Sequence, residues 1–265
     1  MSGREEMMAR IRKALGRDSL TEASRPPQTA VLPHPRLEAV LPPIPPEELL
    51  AHFETELAKV SGIPYRASSV QELEEILKGI LSTTEAASLV LSGNPLLAQL
   101  GLSGKLRALG KSVAEWPAAP GKGEGDEAAF REACFSAAVG ITGADWALAE
   151  TGSLVLTSAT EGSQLASLAP PVHVALYRRG QLLESLDDVF ERLPLDPARS
   201  PEFVEGPVAR EAERSAVGRS VVFVTGVSRT ADIEQILIRG VHGPRELYVI
   251  LIEESCLGGT QAAGQ

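Results

Sequence analysis

"SVVFVTGVSRTADIEQILIRGVHGPRELYVILI", residues 220–252, sets two apolar runs on either side of a stretch with helical spacing. The first run ends at Thr225-Gly226, and the spacing predicts a helix over 230–239. Gly240 is its stop signal, and a second apolar run, 247–252, follows. Strand, helix, strand within so few residues points to a parallel arrangement. Other short runs fit the same scheme: 88–92 (SLVLS), 111–116 (KSVAEW), 153–157 (SLVLT) and 172–177 (VHVALY). Helical patterns separate several of them: 47–60, a helix opened by a Ser69/Glu72 capping box, one through Phe130 and Cys134 after the 121–126 break, and one near 186–193. Strands that are apolar on both faces and alternate with helices imply an α/β fold, a mostly parallel sheet covered by helices.

The chain divides by composition. Residues 1–20 hold a short amphipathic helix, with five basic and two acidic residues over 4–17, on a chain of formal charge -10. Residues 21–46 form a proline-rich linker, with eight prolines between 23 and 46. Residues 47–257 are the α/β domain, and 258–265 a flexible tail. The helix of 1–20 is too short to be stable alone, so it reads as a docking element or a frayed end.

Composition also narrows the function. The negative balance argues against nucleic acid as a partner. No stretch is long and apolar enough for a membrane span, and no signal core follows the basic N-terminus, so a reducing cytoplasm is expected. Two cysteines, Cys134 and Cys256, form no CxxC and cannot supply the four thiolates an iron–sulfur cluster normally needs. The four histidines, His34, His52, His173 and His242, show no metal-ligand spacing, so no metal or other cofactor is expected in this chain. No P-loop, GxSxG or HExxH occurs, and the 121–125 glycines lack a dinucleotide fingerprint. A homo-oligomer is compatible with all of this.

The junction at 226–230 is the first candidate site. In an open α/β sheet, ligands bind in the crevice beyond the carboxyl ends of the strands, and this loop is expected there. Gly226 permits an unusual backbone angle, Ser228 or Thr230 caps the helix, and Arg229 offers a planar donor for carboxylate or phosphate. The plain alternative is an ordinary capped helix with Arg229 in water. A second loop, Glu150-Thr151-Gly152, precedes the 153–157 strand. Glu150 is the candidate acid, base or nucleophile, and otherwise an exposed turn carboxylate. His173 and His242 are weaker candidates, the first fitting a core histidine and the second a turn former.

Three stretches, 140–156 (GITGADWALAETGSLVL), 167–176 (SLAPPVHVAL) and 228–254 (SRTADIEQILIRGVHGPRELYVILIEE), resemble the LUD-domain family in its lactate utilisation protein C branch. The N-terminal MMARIRKALGR is similar too, while Val227 departs from the family's usual proline and loosens that turn. The resemblance implies a NagB/RpiA/CoA-transferase-like fold. It implies a role in oxidising L-lactate to pyruvate beside partner proteins that carry iron–sulfur clusters. A small carboxylate or other anion would then be held by Thr151, Gly152, Gly226, Ser228, Arg229 and Thr230, near Glu150. Two other readings stay open: a free-standing acyl-transfer enzyme with Glu150 as nucleophile, and a non-catalytic metabolite sensor or scaffold.

Overall fold

The computed structural model describes residues 6, 7, 9, 10, 13, 42–117, 124–193, 218, 220–230 and 238–257. The chain forms two compact units, Met1–Pro43 and Ile44–Gln265. In the first, Glu6, Met7, Ala9, Arg10 and Lys13 are helical, and Arg10 donates to Glu6 at 2.8 Å. The rest of the expected N-terminal helix, the linker up to residue 41 and the 258–265 tail lie outside the described residues.

The second unit is built on six parallel strands: β1 (Gly62–Ala67), β2 (Ser88–Leu91), β3 (Ser112–Glu115), β4 (Val139–Gly143), β7 (Val172–Arg178) and β12 (Glu246–Ile252). They lie in the order β1-β12-β7-β4-β2-β3. Continuous apolar runs become central strands because both faces are covered. Along β7 the odd-even alternation sends Val172, Val174 and Leu176 to one face and Ala175 and Tyr177 to the other. The first face packs on α2 (Val70–Thr83), α3 (Pro95–Gln99) and α4 (Leu102–Ala108) through residues such as Leu73, Leu77, Leu97 and Leu106.

The opposite face is covered in two parts. Over β2 and β4 lie α5 (Glu124–Ser136) and the short α7 (Leu165–Leu168), with Phe130, Cys134 and Ala166 against Val90. Over β7, β12 and β1 lie α1 (Leu49–Lys59) and a second sheet. That sheet orders β8 (Leu182–Leu183), β5 (Trp146–Leu148), β6 (Ser153–Thr157) and β9 (Val221–Val224) as β8-β5-β6-β9. Its outer side is covered through Val189 and Leu193, from and just after α8 (Leu186–Arg192). Phe53 of α1 is fully buried, edge-on to Tyr177 at 5.3 Å between ring centroids. Among the described residues no helix is long and apolar enough to cross a membrane.

Two expectations are corrected here. The 153–157 and 221–224 runs do not join the parallel sheet; they pair antiparallel with each other in the second one. The 230–239 helix is absent at both ends: Arg229–Thr230 (β10) and Ile238–Arg239 (β11) form a two-stranded antiparallel ribbon, while 231–237 lie outside the described residues. At the ends of that stretch the ribbon is held by tertiary bonds from Ser228, whose N–H donates to Pro244 O at 2.8 Å and whose carbonyl accepts from Gly240 N at 2.9 Å.

The Ser69 cap is present, with the reciprocal Glu72 bond made to the preceding residue instead of to Ser69 itself. Ser69 Oγ accepts from Glu72 N at 3.1 Å, and Glu72 Oε2 accepts from Ser68 N at 2.7 Å. Ser69→Ala is expected to destabilise the protein by about 1 kcal/mol in urea denaturation. An unchanged midpoint would mean that the Ser69 cap contributes nothing.

Candidate functional site

The strand order locates a crevice. From β2 the chain crosses to β3 on one side, whereas from β4 it continues to β7 on the other, so the connections diverge between β2 and β4. At such a switch point the carboxyl ends of neighbouring strands leave an open cleft. Beside this point, over the carboxyl ends of β2 and β3, opens a cavity of about 950 Å³, with Ser92, Asn94, Trp116, Ser158 and Thr160 in its wall.

The wall follows from local sequence. Leu91 ends β2, and Ser92 N extends the ladder to Ile141 O at 3.0 Å. Asn94 then caps α3: its Oδ1 accepts from Leu96 N at 3.0 Å, with Pro95 in the first turn. Its Nδ2 donates to Glu161 Oε1 at 2.5 Å, and Gly93 N donates to Glu161 O at 2.9 Å. Glu161 thus ties the 92–94 loop to α6 (Ser158–Glu161) from behind the wall. Gly143, at the end of β4, makes room: a Cβ there would lie 2.1 Å from Asn94 Cγ. Asp145 Oδ2 fastens the other side, accepting from Thr157 N at 2.7 Å and Thr160 Oγ1 at 3.0 Å.

Glu161 has no exposed surface, and its Oε2 has no hydrogen-bond partner. Burial pushes its carboxyl up to about 8, against the opposing pull of Ser92 and Asn94 and with the nearby Asp145 charge adding to the rise. The group is therefore a neutral acid near neutral pH. Asp145 is raised as well, again by burial, with Thr157 and Thr160 opposing. The charged side chains in the cavity wall are Glu115 and Glu127, and the described wall includes no lysine or arginine. Glu115 is neutralised by Arg107 at 2.9 Å. The cavity offers neutral hydroxyl and amide donors beside an indole, with the Glu127 carboxylate also in its wall.

The residues singled out from the sequence lie elsewhere. Glu150-Thr151-Gly152 and the 225–230 loop do meet, through a hydroxyl chain in which Thr151 Oγ1 donates to Ser153 Oγ at 2.8 Å and Ser153 Oγ contacts Thr225 Oγ1 at 2.7 Å. They meet around the end of α1. Gly152 (φ 64°) and Gly226 (φ 82°) are both left-handed, and a Cβ would lie 2.2 Å from Leu57 N in the first and 2.3 Å from Val60 O in the second. Arg229 donates to Ser61 Oγ at 2.7 Å. Ser61 precedes β1 and Pro244 precedes β12, so this corner lies at the amino ends of the parallel strands. The expected position in the carboxyl-end crevice is thereby corrected, because β9, which leads into the loop, belongs to the second sheet.

Thr230 lies in β10, and the residues after it, 231–237, are outside the described ones. Glu150 is half-buried in its turn, its N–H bonded to Glu184 O at 2.9 Å. His242 is exposed. His173 is buried in β7, its Nε2 2.8 Å from Thr142 Oγ1 and its Nδ1 without a partner; burial lowers it to about 4, so it is neutral. Among the described residues, no group of three or more His, Cys, Asp or Glu is placed to hold a metal ion. Sequence reading missed Ser92, Asn94 and Glu161. The available signal was Asn94-Pro95 directly after a buried strand, which marks a helix start at a strand's carboxyl end.

The LUD domain matches residues 50–252. Lactate utilization protein C of Halalkalibacterium halodurans is 26% identical over 251 residues, 95% of this chain and 98% of that protein. The protein of the same name from Oceanobacillus iheyensis is 27% identical, covering 94% of this chain and 98% of its own length. A crystal structure of a DUF162 family protein from Deinococcus radiodurans shares the fold, with a TM-score of 0.50 and 20% identity over 79% of this chain and 99% of that one. The match spans the parallel sheet, the second sheet and the crevice between β2 and β4, and the chain belongs to the LUD domain family.

Proposed function

We propose that this chain is a component of a cytoplasmic L-lactate utilisation system and binds a small hydroxy or oxo acid in the cavity at the carboxyl ends of β2 and β3. Iron–sulfur partner proteins would carry the electrons. The observation that carries the reading is the full-length similarity to proteins named lactate utilization protein C, which runs through the crevice-forming segments. A switch-point cleft is the usual place for a ligand in this kind of sheet. The donors available there are neutral, so a carboxylate would be held by hydrogen bonds and its binding would depend only weakly on salt. No observation favours acyl transfer through Glu150, which lies outside the cavity wall.

The test is a tagged pull-down from cells grown on L-lactate, with the visible spectrum of the co-purified proteins and lactate-dependent dye reduction as readouts. Asn94→Ala removes a wall amide and its bond to Glu161 Oε1. Dye reduction is expected to fall about tenfold or more while the partners still co-purify. Normal growth on L-lactate after deletion of the gene would sink the proposal.

A further inference from the structure

The corner at the amino ends of the strands has its own chemistry. Arg229 and Arg239 are directly opposed across the β10–β11 ribbon, so their side chains leave the same face. Both are exposed, and among the described residues neither is paired with a carboxylate. Like charges directly opposite one another destabilise a ladder. A third guanidinium is close: a Cβ on Gly240 would lie 2.6 Å from Arg245 Cβ, which brings Arg245 within a side chain's reach of Arg239. Its carboxylate neighbour, Glu246, is 4.0 Å away and also accepts from Tyr248 OH at 2.8 Å. Ser61, which fixes Arg229, holds a left-handed backbone (φ 66°), an uncommon conformation for serine.

We propose that Arg229 and Arg239, with Arg245 beside them, form an oxyanion site that takes a phosphate group or a dicarboxylate, separate from the cavity at the carboxyl ends of β2 and β3. Two guanidinium planes on one ribbon face can each offer paired N–H donors to one doubly charged anion. The bound anion converts the cross-strand repulsion into two attractions. On a chain of net charge -10, this cationic spot concentrates anions that the rest of the surface repels. The site does not depend on the lactate reading, because it shares no residue with the cavity wall.

The probe is inorganic phosphate, titrated calorimetrically into the full chain in chloride buffer of matched ionic strength. Saturable binding at one site per chain, with a millimolar Kd, is expected. At ten times that Kd, Tm should rise by roughly 3 to 6 °C. In Arg239→Gln, the gain should vanish, and Tm without phosphate should rise by about 1 to 3 °C because the repulsion is gone. That reversal separates an anion site from a structural arginine.

Absence of saturable binding to the wild-type chain would overturn the proposal. So would an equal gain in the Arg229→Gln/Arg239→Gln double variant, which would mark a general salt effect. Binding of a glutamate-rich peptide without phosphate binding would point to an acidic protein partner instead. Phosphate binding only after Asp232→Asn and Glu234→Gln would show that the chain supplies its own anion, and would equally overturn it.

Discussion

Gly152→Ala is expected to lower the unfolding free energy by about 3–5 kcal/mol. Gly152 sits at φ 64°, where an L side chain is strained, and its new Cβ would meet the α1 backbone, 2.2 Å from Leu57 N and 2.6 Å from Leu57 Cα. Neither partner is a flexible side-chain tip, so α1 itself must move. That motion would open the core around Phe53, Leu57 and Tyr177. For a unit of this size the loss corresponds to a fall in Tm on the order of 10 °C. The control is Gly79→Ala in α2, where a Cβ meets nothing within 4 Å; helix propensity predicts a gain of up to about 1 kcal/mol. A Gly152→Ala loss below about 1 kcal/mol would show that the loop and α1 are not clamped together.

The second large effect is a dependence of stability on pH that originates at Glu161. Its folded value of about 8 exceeds the ordinary 4.5, so the folded chain holds a proton that the unfolded chain has released. This contribution is fully present below 4.5 and is lost as pH rises through 8. His173 works in the opposite sense: lowered from 6.5 to about 4, it contributes stability above 6.5 that is lost as pH falls through 4.

The two slopes oppose each other up to about pH 7.5, because unfolded His173 is still half protonated at 6.5. Between pH 6.5 and 8 a loss of about 1.6 kcal/mol from Glu161 outweighs a gain of about 0.4 kcal/mol from His173, so stability should fall by about 1.2 kcal/mol. Glu161→Gln keeps an oxygen acceptor for Asn94 and removes the titration, so its stability should not fall over the same window. A flat wild-type profile in urea titrations, or an equal slope in the Gln variant, would show that Glu161 is already ionised.

Much of the fold was legible because burial on two faces leaves a strong local mark. The runs at 88–91, 172–178 and 246–252 are mostly apolar at consecutive positions, and each is a strand of the parallel sheet. Weaker runs escaped notice. β1, GIPYRA, is buried only at its two ends, lies at the sheet edge and carries Pro64; its Gly62 also reads as a helix stop. β4, VGITG, is fully buried, yet its two glycines mask it as a loop. Those glycines reflect partners distant in sequence: a Cβ at 140 would lie 1.8 Å from Ala166 O, and Gly143 makes room for Asn94.

The site was less legible than the fold. The Glu150 and Arg229 loops stand out because glycine, hydroxyl and guanidinium groups cluster there in sequence, and they do converge in space. What they converge on is the end of α1, at the far end of the strands from the crevice. Glu161, by contrast, looks like an ordinary helix carboxylate. Its neutrality depends on complete removal from water, and residues from β2, β4 and the 157–161 turn must all close over it.

By itself, then, the sequence determined the α/β class, the principal parallel strands and membership of the LUD domain family, since periodicity and motif are properties of neighbouring residues. Only the tertiary structure decided which apolar runs share a sheet, that residues 229–230 and 238–239 pair as strands, and where the cavity at the strands' carboxyl ends lies. Each of these depends on hydrogen bonds and desolvation supplied by residues far apart in the chain, and no local pattern records them.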